Sequence, residues 1–166
     1  MSFKSPFPDV EIPNRSVYDF LFGHLDPADA DRPALVDGAS GAVTSYRTLI
    51  TQIDGVAGAL AARGLAVGEV VALHSPNVPA FAAVFHGILR AGGVATTVNA
   101  LYTAEDIAKQ LTDSHAKFLF TVSPLLPQAT AAAARVGIPT GNVIVLDGAD
   151  GHPSLTDLLT EGHPAP

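Results

Sequence analysis

The sequence contains no cysteine, so disulfide bonds, thiolate nucleophiles and sulfur-ligated metal sites are excluded. Charged side chains are scarce, at 15% of 166 residues against roughly 25% in an average soluble domain. No stretch approaches the roughly 18 uninterrupted apolar residues of a membrane span. The first residues carry prolines and an acid where a secretory signal has an apolar core. We therefore predict a cytoplasmic protein without a membrane span.

Clusters of basic residues are also missing. Nine Lys and Arg stand against 16 Asp and Glu, which gives a formal net charge of −7. The basic residues are scattered singly between Lys4 and Arg135. A nucleic-acid interface needs clustered Lys and Arg. We therefore predict no nucleic-acid partner.

Apolar side chains are abundant, at 48% of the residues. A chain near 150 residues buries roughly 68 to 70% of its unfolded surface, which is enough for one substantial core. Low charge and high apolar content together predict a sizeable apolar patch outside that core, and a last strand at 143–146 would add an uncovered sheet edge. We therefore expect the isolated chain to form a homodimer, through the region 34–63 or through the sheet edge.

The N-terminal third has four kinds of pattern. Residues 1–15 mix proline, charge and phenylalanine without a period, which predicts an extended arm. Ser16 has the position of an N-cap for a short helix around 17–25. Two short apolar runs at 34–36 and 43–45 flank a glycine-containing connection of five residues and predict a hairpin. A helical stripe at Leu49, Ile53, Val56 and Leu60 then predicts a long helix that ends at Gly64.

Four short β-branched runs follow, at 70–73, 94–98, 118–122 and 143–146, with starts 24 or 25 residues apart. Each gap carries helical periodicity, and one further helical turn is expected at 154–159. Strands and helices that alternate in this way predict βαβ units, that is, a parallel sheet with helices on both faces. The fold class is therefore α/β, with a small antiparallel hairpin before the sheet. Val71, Ala95, Leu119 and Ile144 are expected to be buried.

Ligands of an open α/β sheet bind beyond the carboxyl ends of the strands, so the candidate site lies at 75–77, 99–103, 121–124 and 147–150. No strand is followed by the Gly-x-Gly-x-x-Gly of a dinucleotide fold. None of the three lysines, Lys4, Lys109 and Lys117, follows the glycine-rich turn of a phosphate-binding loop. A nucleotide fingerprint is thus missing from these segments.

Single residues near the strand ends have ordinary structural explanations. Gly92 and Gly93 are interpreted as a helix end with a tight turn, and Asn77 as a helix N-cap. Asn99 is either a turn residue or part of a pocket rim. His74 is the histidine of interest because it ends a strand, but the six histidines lack metal-ligand spacing, so no metal site is predicted. No Gly-x-Ser-x-Gly motif is present, and no catalytic residue is assigned.

The order of several segments resembles that of the adenylate-forming enzymes, and most closely 4-coumarate:CoA ligase with its acyl-CoA synthetase and luciferase relatives. The segments are PALVD at 33–37, TSYRTL at 44–49, GEVVA at 68–72, SPN at 75–77, LRAGGV at 89–94, NALYTAEDI at 99–107 and KFLFT at 117–121. Each segment alone is common, whereas their shared order and spacing over about residues 17–160 is specific.

This resemblance implies an ATP-dependent ligase that joins a carboxylate to AMP with loss of pyrophosphate and then transfers the acyl group to coenzyme A. The implied cofactors of the parent enzyme are ATP, Mg and coenzyme A, and its substrate is a carboxylic acid. The family's phosphate-binding loop, ATP-binding motifs and catalytic lysine come after the segment that corresponds to Pro166. Catalytic residues therefore cannot be assigned here, and cofactor-binding residues are unknown.

The resemblance also implies a division of the chain. Residues 1–15 are an arm, 16–160 an incomplete N-terminal subdomain of the large domain, and 161–166 the end of a loop or linker. The chain is then a scaffold, inactive alone and without a bound cofactor, whose partner is the remainder of the ligase chain. The alternative is a stand-alone Rossmann-like module that binds a small ligand or nucleotide at the strand ends. Binding of ATP or AMP by this chain alone distinguishes the two.

Overall fold

A computed structural model describes residues 3–166. The helices are α1 (Val17–Phe22), α2 (Tyr46–Ala62), α3 (Pro79–Arg90), α4 (Ala104–Ser114), α5 (Leu126–Val136) and α6 (Leu155–Thr160). The strands are β1 (Pro33–Val36), β2 (Val43–Ser45), β3 (Val70–His74), β4 (Val94–Val98), β5 (Phe118–Thr121) and β6 (Val143–Val145). No helix in this part of the chain is long and apolar enough to cross a membrane.

The main sheet has four parallel strands in the order β4-β3-β5-β6. A separate antiparallel pair, β1 and β2, precedes it, with a register shift between Pro33 and Leu35. The predicted α/β class, with parallel βαβ units after a hairpin, is therefore confirmed. The helix limits also follow local sequence: Ser16 accepts a hydrogen bond from Asp19 N at 3.0 Å, and Gly64 takes a φ of +87° after α2.

Helices cover both faces of the parallel sheet. On one face, α2, α3 and α6 contribute Val56, Ile88 and Leu158 to a core with Leu73 and Phe120. On the other face, α4 and α5 pack Ile107, Leu111 and Ala132 against Ala72 and Leu119. Successive residues of β3 point to opposite faces of the sheet, and both faces are covered by helices. Apolar residues are therefore needed at every position of the strand, rather than alternating with polar ones. This explains the continuous apolar strands of the sequence.

A third, smaller core attaches the N-terminal elements to α2 and α3. Leu49, Ile53 and Ala83 are buried there, and Tyr18, Phe22 and Leu35 pack against them. The arginine at the end of α3, Arg90, lies 4.8 Å from the centre of the Tyr18 ring and 3.4 Å from Asp54 Oδ1. α1 itself ends at Phe22 rather than near residue 25, so the predicted helix was three residues too long.

Ala95 is not buried, and that prediction was wrong. Val71, Leu119 and Ile144 are fully buried as expected, but Ala95 is only partly buried. The reason is strand order: β4 lies at the edge of the sheet, with β3 on one side only. Val94, next to Ala95, is 49% exposed. The spacing of strands along the sequence carries no information about which strand becomes the edge.

The last strand is the other edge of the sheet, but it is not uncovered. Val143, Ile144 and Val145 are all at most 1% exposed. The following segment returns along β6, so that Val145 N donates to Pro153 O at 2.9 Å and Val145 bridges Ser154. The prediction of an exposed edge at 143–146 was therefore wrong, and the open edge is that of β4.

The segment 161–166 lies against α2 and α3. Glu161 accepts two hydrogen bonds from the Arg63 guanidinium, at 2.6 and 2.5 Å, and Ala165 packs on the larger core. The Pro166 carbonyl accepts a hydrogen bond from Arg90. At Gly58, an added Cβ would lie 2.1 Å from the His163 carbonyl oxygen, so glycine is required where this backbone crosses α2.

Candidate functional site

Two neighbouring cavities open at the carboxyl ends of the parallel strands, and both contact Pro76. The polar cavity measures about 590 Å³ and lies beyond β3 and β4; its lining includes Ser75, Asn77, Phe81, Thr97 and Asn99. The apolar cavity measures about 330 Å³ and lies beyond β3, β5 and β6; its lining includes Val78, Ala80, Val122, Pro124, Leu146 and Asp147. The sheet topology thus brings together the segments named from sequence.

His74 ends β3 and is fully buried beside these cavities. Its Nδ1 lies 3.4 Å from the Thr121 hydroxyl on β5, and its Nε2 has no hydrogen-bond partner among residues 3–166. Burial lowers the pKa of His74, although the carbonyls of Ala100 and Asn99 act in the opposite direction. The imidazole is therefore neutral near pH 7, and it links the ends of β3 and β5.

A second link joins the ends of β5 and β6. Asp147 accepts hydrogen bonds from the Ser123 backbone N–H at 2.7 Å and from its hydroxyl at 2.5 Å. Burial acts to raise the pKa of Asp147, but these two hydrogen bonds outweigh it and hold the pKa below its usual value. Asp147 is therefore ionised near neutral pH, and it places a negative charge on the wall of the apolar cavity.

Asn77 differs from expectation, whereas Asn99 combines its two expected roles. Asn77 is not an N-cap: α3 begins after Val78, which offers no side-chain hydrogen bond, and Pro79 holds the first helical position. Asn77 instead lines the polar cavity. Asn99 fulfils both of its alternatives, since its Oδ1 accepts from Leu101 N at 2.9 Å while its side chain lines the same cavity.

Gly92 and Gly93 lie before the amino end of β4, where α3 ends and the chain makes a tight turn. Gly92 has a φ of +79°, and Gly93 N donates to Ile88 O at 2.9 Å. Both precede β4, so they are at its amino end and far along the strand from the cavities. Their interpretation as turn residues is confirmed.

The residues at the strand ends do not fit the phosphates of ATP. Neither cavity is lined by Lys or Arg, and the charged residue that lines the apolar one is the carboxylate Asp147. Pro76, Pro79 and Pro124 lack the backbone N–H donors that a phosphate-binding loop supplies. No cluster of three potential metal ligands occurs among residues 3–166. We therefore derive no phosphate chemistry from these loops.

Sequence reasoning identified the segments but missed the contacts within them. An aspartate that directly follows an apolar strand, such as Asp147, is a signal for a strand-end cap, whereas its partner Ser123 has no comparable signal. Sequence reasoning also missed that His115, Lys117 and Arg135 come together at the amino ends of the parallel strands, because these residues are separated along the chain.

Comparison with known proteins places these features in context. The family model described as AMP-binding enzyme matches residues 26–163. The sequence is 34% identical over 132 residues to 4-coumarate--CoA ligase 4 of Arabidopsis thaliana, an alignment that covers 77% of this chain and 23% of that protein. It is 34% identical over 137 residues to peroxisomal OPC-8:0-CoA ligase 1 of the same plant, covering 82% of this chain and 24% of that protein.

The fold is also similar to the folds of solved structures. ATP-bound MatB from Rhodopseudomonas palustris superposes with a TM-score of 0.72 and 33% identity, over 89% of this chain and 28% of that one. The chain thus spans about a quarter of the length of the relatives that it matches. With a family match over residues 26–163 and the predicted fold confirmed, the chain belongs to the AMP-binding, adenylate-forming enzyme family.

Proposed function

We propose that the chain is the N-terminal part of an ATP-dependent acyl- or aryl-CoA ligase and that it acts in that enzyme as a scaffold. The parent enzyme forms an acyl-adenylate from a carboxylic acid and ATP, with Mg, and transfers the acyl group to coenzyme A. The observation that supports the scaffold role is the strand-end chemistry, because the two cavities offer a carboxylate and prolines where phosphates need cations and N–H donors.

The linked strand ends are suited to such a role. The pairs His74–Thr121 and Ser123–Asp147 join three adjacent strands at their carboxyl ends. A rigid wall of this kind positions catalytic groups that other segments supply. The remainder of the ligase chain is the partner that this proposal requires.

The proposal predicts that the isolated chain shows no adenylation. ATP, Mg²⁺, labelled pyrophosphate and a panel of aryl and aliphatic carboxylates are incubated with the chain, and a complete 4-coumarate--CoA ligase serves as the positive control. We expect no label in ATP above the protein-free blank, since the phosphate-binding groups are missing from the strand ends. Exchange with any carboxylate contradicts the scaffold role.

Calorimetric titration with ATP and AMP tests the alternative, a stand-alone Rossmann-like module. The scaffold role predicts no saturable heat for either nucleotide. Saturable binding that changes in the Asp147→Asn variant would place a nucleotide at the strand ends and favour the module. Asp150→Asn is the matched control, because it changes the same charge three residues away in the same exposed loop.

We further propose that the isolated chain self-associates. Its exposed large apolar side chains include Val17, Phe20 and Leu21 on α1 and Val36 and Val43 on the hairpin, each between 49 and 62% exposed. A specific dimer buries about 1,200 Å² or more. Sedimentation across a concentration series is expected to show dimers at tens of micromolar. A single monomeric species there, or an unchanged dimer in Phe20→Ser/Val43→Ser, contradicts association through this surface.

Location in the cytoplasm stays a prediction. One relative is named as peroxisomal, so the peroxisome is the alternative location to test. Fluorescence microscopy of the tagged parent enzyme beside a peroxisomal marker distinguishes the cytoplasm from the peroxisome.

A further inference from the structure

A cavity of about 360 Å³ lies at the amino edge of the parallel sheet, opposite the strand-end cavities. It is formed where α4 and α5 end and β5 begins. Three basic residues line it, His115, Lys117 and Arg135, together with Thr112 and the apolar residues Leu111, Ala116 and Val136. We call it the basic cavity. Its volume lies in the range of about 300 to 1,000 Å³ that small-molecule sites occupy.

The cations of the basic cavity differ from four arginines elsewhere in the fold. Arg32, Arg47, Arg63 and Arg90 each have a carboxylate oxygen at 2.5 to 3.4 Å. Between residues 3 and 166, no carboxylate lies within 4.0 Å of a charged nitrogen of Lys117 or Arg135, or of the His115 ring. These three side chains also make no hydrogen bond within that range. Their donors are therefore available to a ligand.

Compensation of the helix ends does not account for this charge. The C-terminus of a helix carries about half a negative charge, so α4 and α5 together supply about one. Lys117 and Arg135 supply two positive charges, which leaves an excess of about one. One carbonyl near each helix end has a backbone partner, since Leu111 O accepts from Ala116 N and Ala133 O accepts from Ile138 N. The charge of Lys117 and Arg135 therefore exceeds what the two helix ends balance.

The backbone that carries these side chains is held in place. Lys117 N donates to Val70 O at 2.8 Å, and Lys117 O accepts from the Asn142 side chain at 3.1 Å. His115 is the C-cap of α4, with a φ of +56°, the one positive φ among the non-glycine residues described. The three basic groups are therefore attached to fixed points around one concavity rather than to a mobile loop.

We propose that the basic cavity binds a phosphate-type oxyanion, either free or as a phosphate monoester. Arg135 offers a planar fork that matches two phosphate oxygens, Lys117 a point charge, and His115 an N–H donor. The whole chain has a net charge of −7, so this concave group of basic side chains stands out from an acidic protein. The proposal does not depend on the ligase function.

The experiment is a titration of the 166-residue chain with inorganic phosphate, followed by amide chemical shifts in ¹H–¹⁵N spectra, with chloride used to hold ionic strength constant. We expect saturable shifts centred on residues 111–117 and 135–138. The Lys117→Gln/Arg135→Gln variant should weaken binding about tenfold or more, because charge-assisted hydrogen bonds are lost. Lys109→Gln is the matched control: Lys109 lines a different concavity together with Asp106 and Asp113, and its removal should leave phosphate binding unchanged.

Several outcomes overturn the proposal. Equal shifts with chloride alone show general electrostatics rather than a site. An equal loss of affinity in Lys109→Gln shows dependence on net charge rather than on this cavity. Methyl phosphate and vesicles of phosphatidic acid in phosphatidylcholine then distinguish the source: saturation by the soluble monoester with no vesicle binding identifies a soluble ligand, and the reverse identifies a lipid headgroup. Failure of phosphate, monoester and vesicles alike refutes oxyanion binding.

Discussion

Ala72→Asp is expected to reduce the free energy of unfolding by roughly 3 kcal/mol or more, whereas Ala95→Asp is expected to cost far less. Ala72 is 0% exposed in β3, a central strand with β4 on one side and β5 on the other, and it packs in the core with Leu119 and Ile107. A carboxylate there has neither water nor a cation within reach. Ala95 lies on the edge strand and is only partly buried, so its carboxylate can reach solvent.

Urea denaturation of the two variants measures this difference directly. Ala72→Ser is the matched control, since it keeps the small volume and adds a polar group without a charge, and it should lose much less than Ala72→Asp. The chemistry of the change is identical at positions 72 and 95, so a difference in stability reports only their places in the sheet. Equal losses at the two positions would mean that β4 is covered on both sides and that the strand order is different.

The contrast between these two alanines shows what the sequence can predict. Strand starts that are 24 or 25 residues apart, with helical periodicity between them, establish parallel βαβ units because each crossover needs a helix. They do not establish order across the sheet. β4 pairs on one side of β3 and β5 on the other, so the second strand of the series becomes an edge and the first becomes central. Burial of Ala95 was mispredicted for that reason.

The candidate site divides in the same way. Its segments were predictable, because ligands bind beyond the carboxyl ends of parallel strands whatever the side chains are. Its contacts were not, since Thr121 meets His74 across 47 residues and Ser123 meets Asp147 across 24. The basic cavity depends likewise on α5 returning to place Arg135 beside Lys117. Residues that are scattered singly along a sequence can thus be neighbours in the fold.

Gly87→Ala is expected to destabilise the fold by about 2 kcal/mol, although glycine to alanine in a helix interior ordinarily stabilises by up to about 1 kcal/mol. Gly87 is buried in α3 where it crosses α2. An added Cβ would lie 2.6 Å from Val56 Cγ1, 2.7 Å from Val56 Cβ and 3.2 Å from the Ile53 carbonyl oxygen. Val56 is fully buried and β-branched, so it has little freedom to rotate away, and the Ile53 contact is backbone.

The double variant Gly87→Ala/Val56→Ala gives this prediction its sharpest form. Val56→Ala alone leaves a cavity and removes Cγ1, the nearest contact of the methyl group added at position 87, while the Cβ contact at 2.7 Å stays, so the double variant should lose somewhat less stability than the two single losses combined. Gly141→Ala is the control, because a Cβ there has no atom within 4 Å and the φ of Gly141 is not positive, so its stability should change by less than about 1 kcal/mol. Thermal or urea unfolding of the four variants measures their free energies of unfolding. Additive losses at positions 56 and 87 would show that α2 and α3 are further apart than the contact between Gly87 and Val56 requires. A gain in stability from Gly87→Ala would show that helix propensity outweighs this contact.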